Sequence, residues 1–329
     1  MGRSLSTAGF VFAALGSMAC GSSTPSPAAP TTAEVVSRPI ASPKVMQGEQ
    51  LLAKGAVKEA AVLFEEAIAD DPNDARAWLD LGLVHEEEGD WSSAEKAYRR
   101  STEIDSRFAE AFNNLGVLLR ERGDLSGAVN MLGRAVALDA DFGAARFNLA
   151  LAYEDQGNRE AAEREYLEAI RVLPQDPVPR INLAMLYLDS GRPDQAAEQL
   201  RAAKPSVAGD VLLSVAVGSA LRRAGAPEDA VEVLHAALEH ASDPPPTELL
   251  AELALALYAA EEPDAAIRTM RRAVSQRPDD AALQYALGTM LTKRGDVDQA
   301  RRHLKRVLKL EPDGPFAERA KAQLRAIER

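Results

Sequence analysis

From about Ala41 onward, small, apolar and polar positions recur along the chain with a spacing of 34 residues. Gly or Ala occupies the eighth position of each period (Gly48, Gly82, Gly116, Ala150, Ala184, Gly218, Ala254 and Gly288). Ala stands twelve positions later, at Ala60, Ala94, Ala128, Ala162, Ala196, Ala230, Ala266 and Ala300, and a large apolar residue follows four further on, from Phe64 and Tyr98 to Leu304. Such spacings put residues on one face of a helix. Between the two stripes lies a break marked by Gly55, Gly89, Gly123, Gly157, Gly191, Gly225 and Gly295, usually followed by Asp or Asn. That is the chemistry of one helix stopping and the next being capped. Pro72, Pro174, Pro278 and Pro312 fall at the thirty-second position, where a second helix must end. The pattern predicts eight antiparallel helical hairpins over residues 44–314, with units near 41–74, 75–108, 109–142, 143–176, 177–210, 211–244, 247–280 and 281–314.

Two places depart from the rhythm. Lys204-Pro205 is expected to cut short the second helix of the fifth unit, and the run Asp243-Pro244-Pro245-Pro246 adds two residues between the sixth and seventh. Each hairpin of such an array touches only its neighbours, so these breaks are expected to alter local curvature and leave the rest intact. After Pro312 a last helix over 315–329 carries Glu318, Arg319, Lys321 and Arg325, the polar composition of a solubilising cap.

In the second unit, Trp78, Leu81 and Gly82, followed by Ala94, Tyr98 and Ser101, resemble the tetratricopeptide repeat pattern. The resemblance covers about four-fifths of the chain and implies an all-α, right-handed superhelical solenoid with a C-terminal capping helix. It further implies that the first helix of each unit lines the concave surface. That fold hosts unrelated functions and by itself names none.

Composition agrees with helices: aromatics are 5% of the 329 residues, too few for a typical β-sandwich. The net charge of −12 and pI near 5.0 argue against a nucleic-acid partner, whose phosphates need a basic surface. Cys20 is the single cysteine, which excludes an intramolecular disulfide and a cysteine zinc site. It follows an export-type leader over residues 1–19, with Arg3, an apolar run from Ala8 to Leu15, and Ser17-Met18-Ala19. The apolar run is too short for a permanent membrane span. A cleavage site followed at once by cysteine resembles a bacterial lipobox, although Ser17 stands where such boxes favour Leu. The resemblance implies lipid attachment at Cys20, a tether over 20–43 rich in Ser, Thr, Pro and Ala, and an exported protein anchored to the envelope, with the outer membrane facing the periplasm as the expected site.

No catalytic set is found, and no cofactor or metal is expected. His85, His235, His240 and His303 form no two-histidine zinc motif, and the acidic pairs sit on amphipathic helices without apolar enclosure. In the repeats this chain resembles, the second, fifth, sixth, ninth, twelfth and thirteenth positions of the first helix face a ligand. The sixth position holds Asn114, Asn148 and Asn182, preceded by Asp80; the three amides offer donors and acceptors to the backbone of an extended peptide, as in the repeat superhelix of O-linked GlcNAc transferase, which the pattern resembles. Phe147 and Ile181 at the fifth position, with Val117, Leu151 and Met185 at the ninth, supply apolar contact surface. Glu87, Glu121, Asp155 and Asp189 at the thirteenth form an acidic row suited to a partner with Lys or Arg beside its apolar residues. The sequence thus predicts a non-catalytic scaffold holding a protein segment in the groove of units two to five, with pilotin-like secretin assembly as one candidate. The alternative is a subunit positioning an envelope enzyme such as a glycosyltransferase or a cytochrome-maturation system.

Overall fold

A computed structural model describes Pro39 and residues 41–327; the leader, Cys20 and most of the tether lie outside the described residues. Among the described residues there are seventeen helices and no strand. They pair into hairpins: α1 (Pro43–Leu52) with α2 (Val57–Asp70), α3 (Ala75–Glu87) with α4 (Trp91–Ile104), α5 (Ala109–Glu121) with α6 (Leu125–Leu138), and α7 (Gly143–Asp155) with α8 (Arg159–Val172). These four make one compact unit, which ends at Pro174. A second compact unit begins at Gln175. It holds α9 (Pro177–Asp189) and α10 (Pro193–Val207), α11 (Val211–Arg223) and α12 (Pro227–His240), α13 (Thr247–Ala259) and α14 (Pro263–Gln276), α15 (Ala281–Arg294) and α16 (Val297–Leu310), and the last helix α17 (Ala317–Ile327). The fold is therefore the expected all-α array of hairpins.

Local chemistry explains the elements. The Asp74 side chain accepts hydrogen bonds from the backbone N–H groups of Arg76 at 3.0 Å and Ala77 at 2.9 Å, satisfying donors that the first turn of α3 leaves open. Asp90, Asp124, Asn158, Asp210 and Asp280 cap later helices in the same way. Gly89 takes φ +77° in the turn between α3 and α4, a conformation that costs a side-chain-bearing residue about 1–2 kcal/mol. Inside the hairpin, a Cβ on Gly82 would lie 2.4 Å from Cε1 of Tyr98, so the missing side chain lets α4 close onto α3.

The core repeats with the sequence. In the first unit Phe64, Tyr98, Leu132 and Tyr166 are fully buried between the two helices of their hairpins, one turn beyond the equally buried Ala60, Ala94, Ala128 and Ala162 of the same helices. In the second unit Leu200, Leu234, Met270 and Leu304 hold the same position. Burying each such side chain contributes about 1.5–3 kcal/mol. Within each unit several first helices touch the next first helix, as α1 and α3, or α11 and α13, do, while each second helix leans on the following first helix. First helices therefore lie on the tighter side of each stack. The last helix α17 buries Ala320 and Leu324 against Ala281, Leu304 and Val307, and the Phe316 ring stacks on Tyr285 with centroids 5.2 Å apart.

The proline expected to shorten the second helix of the fifth unit does not do so. Pro205 lies inside α10, which continues to Val207. A proline two residues from a helix end removes a single N–H bond, and the fully buried Val207 keeps the last turn attached to the core.

Candidate peptide-binding face

In the first unit the tighter side is built by α3, α5 and α7, and two 34-residue steps bring their equivalent positions into rows. The ninth positions, Leu83, Val117 and Leu151, remain partly exposed along this side. The fifth positions do not. Leu79, Asn113 and Phe147 are 7%, 5% and 4% exposed, because neighbouring helices of the stack cover this position. Phe147 shows the reason directly: its ring meets Tyr166 of α8 at 5.9 Å between centroids. Phe147, and Ile181 in the second unit at 1% exposure, were expected to offer contact surface; both are core residues instead.

The amides are joined to one another. Asn148 Nδ2 donates to Asn113 Oδ1 at 2.9 Å, and Asn113 Nδ2 donates to Asn114 Oδ1 at 3.0 Å. The relay is buried at Asn148 and Asn113 and surfaces at the half-buried Asn114. Asn113 is the residue that sequence reasoning missed, since the fifth position is apolar in the flanking units (Leu79, Phe147 and Ile181). The doublet Asn113-Asn114 was the available signal: two adjacent amides on a helix facing a third, one period later. Asp80, in the same row as Asn114, is 6% exposed, and its Oδ2 atom is buried without a hydrogen-bond partner. Burial, reinforced by the negative charge of Glu49, pushes the Asp80 carboxyl up to about 8.

One edge of this face is acidic. Glu87 and Glu121 are exposed, while Asp155 lies 3.6 Å from Arg120 Nε. Partial burial raises the Asp155 carboxyl above its ordinary range, with Arg120 opposing. Beneath the edge, Tyr98 Oη donates to Glu86 at 2.5 Å and Tyr166 Oη donates to Glu154 at 2.7 Å, which ties both helices of hairpins two and four together. Burial holds the Glu86 carboxyl above its usual range against the lowering effect of that phenol.

The second unit treats the equivalent positions differently. Asn182 turns back on its own helix, donating to the Val178 carbonyl at 2.9 Å. The Arg223 guanidinium reaches both Met185 Sδ at 3.7 Å and Asp189 at 3.6 Å. Further along, Glu252 at the sixth position of hairpin seven pairs with Arg222 at 3.2 Å.

Among the described residues no group of three or more His, Cys, Asp and Glu side chains is arranged to hold a metal ion. His303 Nδ1 lies 2.7 Å from Gln284 Oε1, a packed contact between α16 and α15; burial lowers its pKa, as do Arg271 and Arg302. A cavity of about 870 Å³ opens beside Ser42, Lys44, Asp71, Asn73 and Asp74. Its one ammonium, Lys44, is tied to Asp70 at 2.7 Å and Glu66 at 3.1 Å. No described helix is long and apolar enough to cross a membrane.

A sequence model of tetratricopeptide repeats matches residues 51–115, 119–177 and 257–324, and a second tetratricopeptide repeat model matches residues 177–202. No curated protein matches the chain. Among solved structures, PilF of Pseudomonas aeruginosa is 18% identical with a TM-score of 0.50, over 73% of this chain and 93% of that one. MamA is 24% identical with a TM-score of 0.45, over 48% and 93%. The APC/C hetero-tetramer Cut9–Hcn1 gives 18%, 0.47, 87% and 55% in the same order. At these identities the PilF likeness speaks for a shared fold.

Proposed function

The chain belongs to the tetratricopeptide repeat family, whose members typically act as protein-interaction scaffolds, and from that premise we propose that it is an exported, envelope-anchored scaffold holding an extended segment of a protein partner. Cys20 carries the anchor. The segment lies along hairpins two to four, and hairpin five offers a face of related composition in the second unit.

One observation carries the reading: the partly exposed row Leu83, Val117 and Leu151 runs beside the half-buried Asn114, where the amide relay surfaces. Aliphatic side chains flanked by amide groups match an extended peptide, whose backbone needs hydrogen bonds and whose side chains need apolar contact. The exposed Glu87 and Glu121 favour a segment that also carries Lys or Arg. Assembly of a secretin in the manner of a pilotin is one role that such an anchored scaffold fits.

A photo-crosslinking amino acid at Val117, introduced into the full-length protein in a bacterial host, tests the binding face. The expected result is one dominant adduct, abolished by Leu151→Asp and absent when the crosslinker sits at the outward Val62. Equal adducts from both positions would remove the face from consideration. Envelope fractionation tests the anchor separately: wild type should sediment with membranes and Cys20→Ala should be released.

A further inference from the structure

Asp80 on α3 is 6% exposed, and its Oδ2 accepts no hydrogen bond from any described group. Across the joint between the first two hairpins, Glu49 on α1 comes within hydrogen-bonding reach of it. Glu49 also holds Arg76, through Nε at 2.7 Å and a terminal nitrogen at 2.5 Å, both directed at Oε1. The guanidinium that would neutralise Asp80 is therefore engaged elsewhere. Two ionised carboxylates have only lone pairs to offer each other, and where one of them is buried, as Asp80 is beside the partly exposed Glu49, the pair is stable when one proton lies between them.

We propose that Asp80 is protonated at neutral pH and donates that proton to Glu49, so that the first hairpin is fastened to the second by a shared proton and the joint loosens as the pH rises. Burial is the largest cause favouring the protonated form, the Glu49 charge adds to it, and Arg76 opposes it. The charged groups acting most strongly on Asp80 are Glu49 from α1 and Arg76 and Asp74 from α3 itself. The neighbouring first helix α5 carries the neutral Asn113 and Asn114 at this register.

The sign follows from linkage. The closed joint holds the Asp80 proton up to about pH 8, whereas an opened joint exposes the carboxyl to water and releases it in the ordinary range, near 4. The stabilisation is complete below that ordinary range, declines as the pH rises toward 8, and is absent above it. One proton taken up on closing changes the open fraction by about tenfold per pH unit across that window.

Two measurements on the full chain test this. In carbon-detected NMR the Asp80 carboxyl should titrate near pH 8; a midpoint near 4 overturns the proposal. Hydrogen exchange of the α1 amides, corrected for intrinsic rates between pH 5.5 and 9.5, should lose about tenfold in protection per unit up to pH 8 and then level off. Asp80→Asn retains a donor toward Glu49 without the titration, so its profile should be flat; an unchanged slope in that variant overturns the proposal. Should Asp80→Asn not fold, Glu49→Gln serves instead. It removes the charge that favours the proton and must move the Asp80 midpoint downward, and a midpoint that stays in place counts against the shared proton.

Discussion

The two compact units use the same hairpin and dress its first helices in opposite ways. In the first, the amide side chains of α5 and α7 form a relay that ends in a half-buried amide at Asn114. In the second, Asn182 bonds its own helix, and Arg222 and Arg223 hold Glu252 and Asp189. Polar groups tied to each other have less to offer a ligand, since binding must first break a bond already made. On the proposed reading, the first unit is the better placed of the two to hold a segment, because the second presents a nearly self-satisfied face.

The largest test of the units' independence lies in their cores. Leu132 is fully buried in hairpin three, and Leu132→Ala should lower stability by about 3 kcal/mol, within the range for a leucine deleted from a packed interior. Because each hairpin contacts its neighbours alone, exchange protection should fall in hairpins two to four and persist in hairpins six to eight. A uniform loss across the chain would mean that the array unfolds as one block. Next in size is the relay itself. Asn113→Ala strands the Asn148 amide, which is 8% exposed, and should cost about 2 kcal/mol in urea unfolding as a buried donor left without an acceptor. Asn182→Ala removes only a half-exposed bond within α9 and should change stability by less than about 0.5 kcal/mol. Equal costs for the two would erase the contrast.

How much of this was legible follows from which constraints act on a single position. The hairpins were readable because closely approaching helices demand a small residue at one fixed place, and Ala94 or Ala128 answers that demand without reference to anything distant. Asn114 and Asn148 were found by the same periodicity. Their bonding through Asn113 was not, because it depends on the rotation of α5 against α7 and links the fifth position of one unit to the sixth of the next. Phe147 was misplaced for a similar reason: a helical wheel gives a direction, and only the packing of α8 decides that this direction meets Tyr166. Pro205 was read by its residue type, while its proximity to the end of α10 governs its effect. The Glu49–Asp80 pair involves two acidic residues 31 positions apart (80 minus 49), and nothing local marks them as neighbours.

A smaller effect sharpens the account of the second unit's face. The Arg222 and Glu252 side chains are 28% and 23% exposed at 3.2 Å, partly screened from solvent. Glu252→Gln keeps the shape and removes the charge, and should cost about 1 kcal/mol at low salt. The loss should shrink in 1 M salt, where the Debye length is about 3 Å. If adduct formation at the equivalent inward position Ala216 rises in this variant, the ion pair had been masking a second recognition face.

The smallest expected effect comes from a turn. Gly55, Gly89, Gly123, Gly157, Gly191, Gly225 and Gly295 all have positive φ between the helices of their hairpins, whereas hairpin seven places Glu261 there at φ 61°. The turn is otherwise the same: Glu262 N–H reaches the Leu257 carbonyl at 2.9 Å, as Asp90 N–H reaches His85 at 2.8 Å. A side chain in this region costs about 1–2 kcal/mol, and glycine returns part of the difference through the greater freedom of its unfolded chain, about 0.5–1 kcal/mol. Glu261→Gly should therefore stabilise the protein by about 0.5–1 kcal/mol, a rise of about 1–4 °C in the melting temperature of a unit this size. Gly225→Ala, the reverse change in the neighbouring hairpin, should destabilise it by a comparable amount. A loss of stability in Glu261→Gly would show that the glutamate's contacts outweigh its backbone strain, and that hairpin seven closes its turn by a different balance from the other seven.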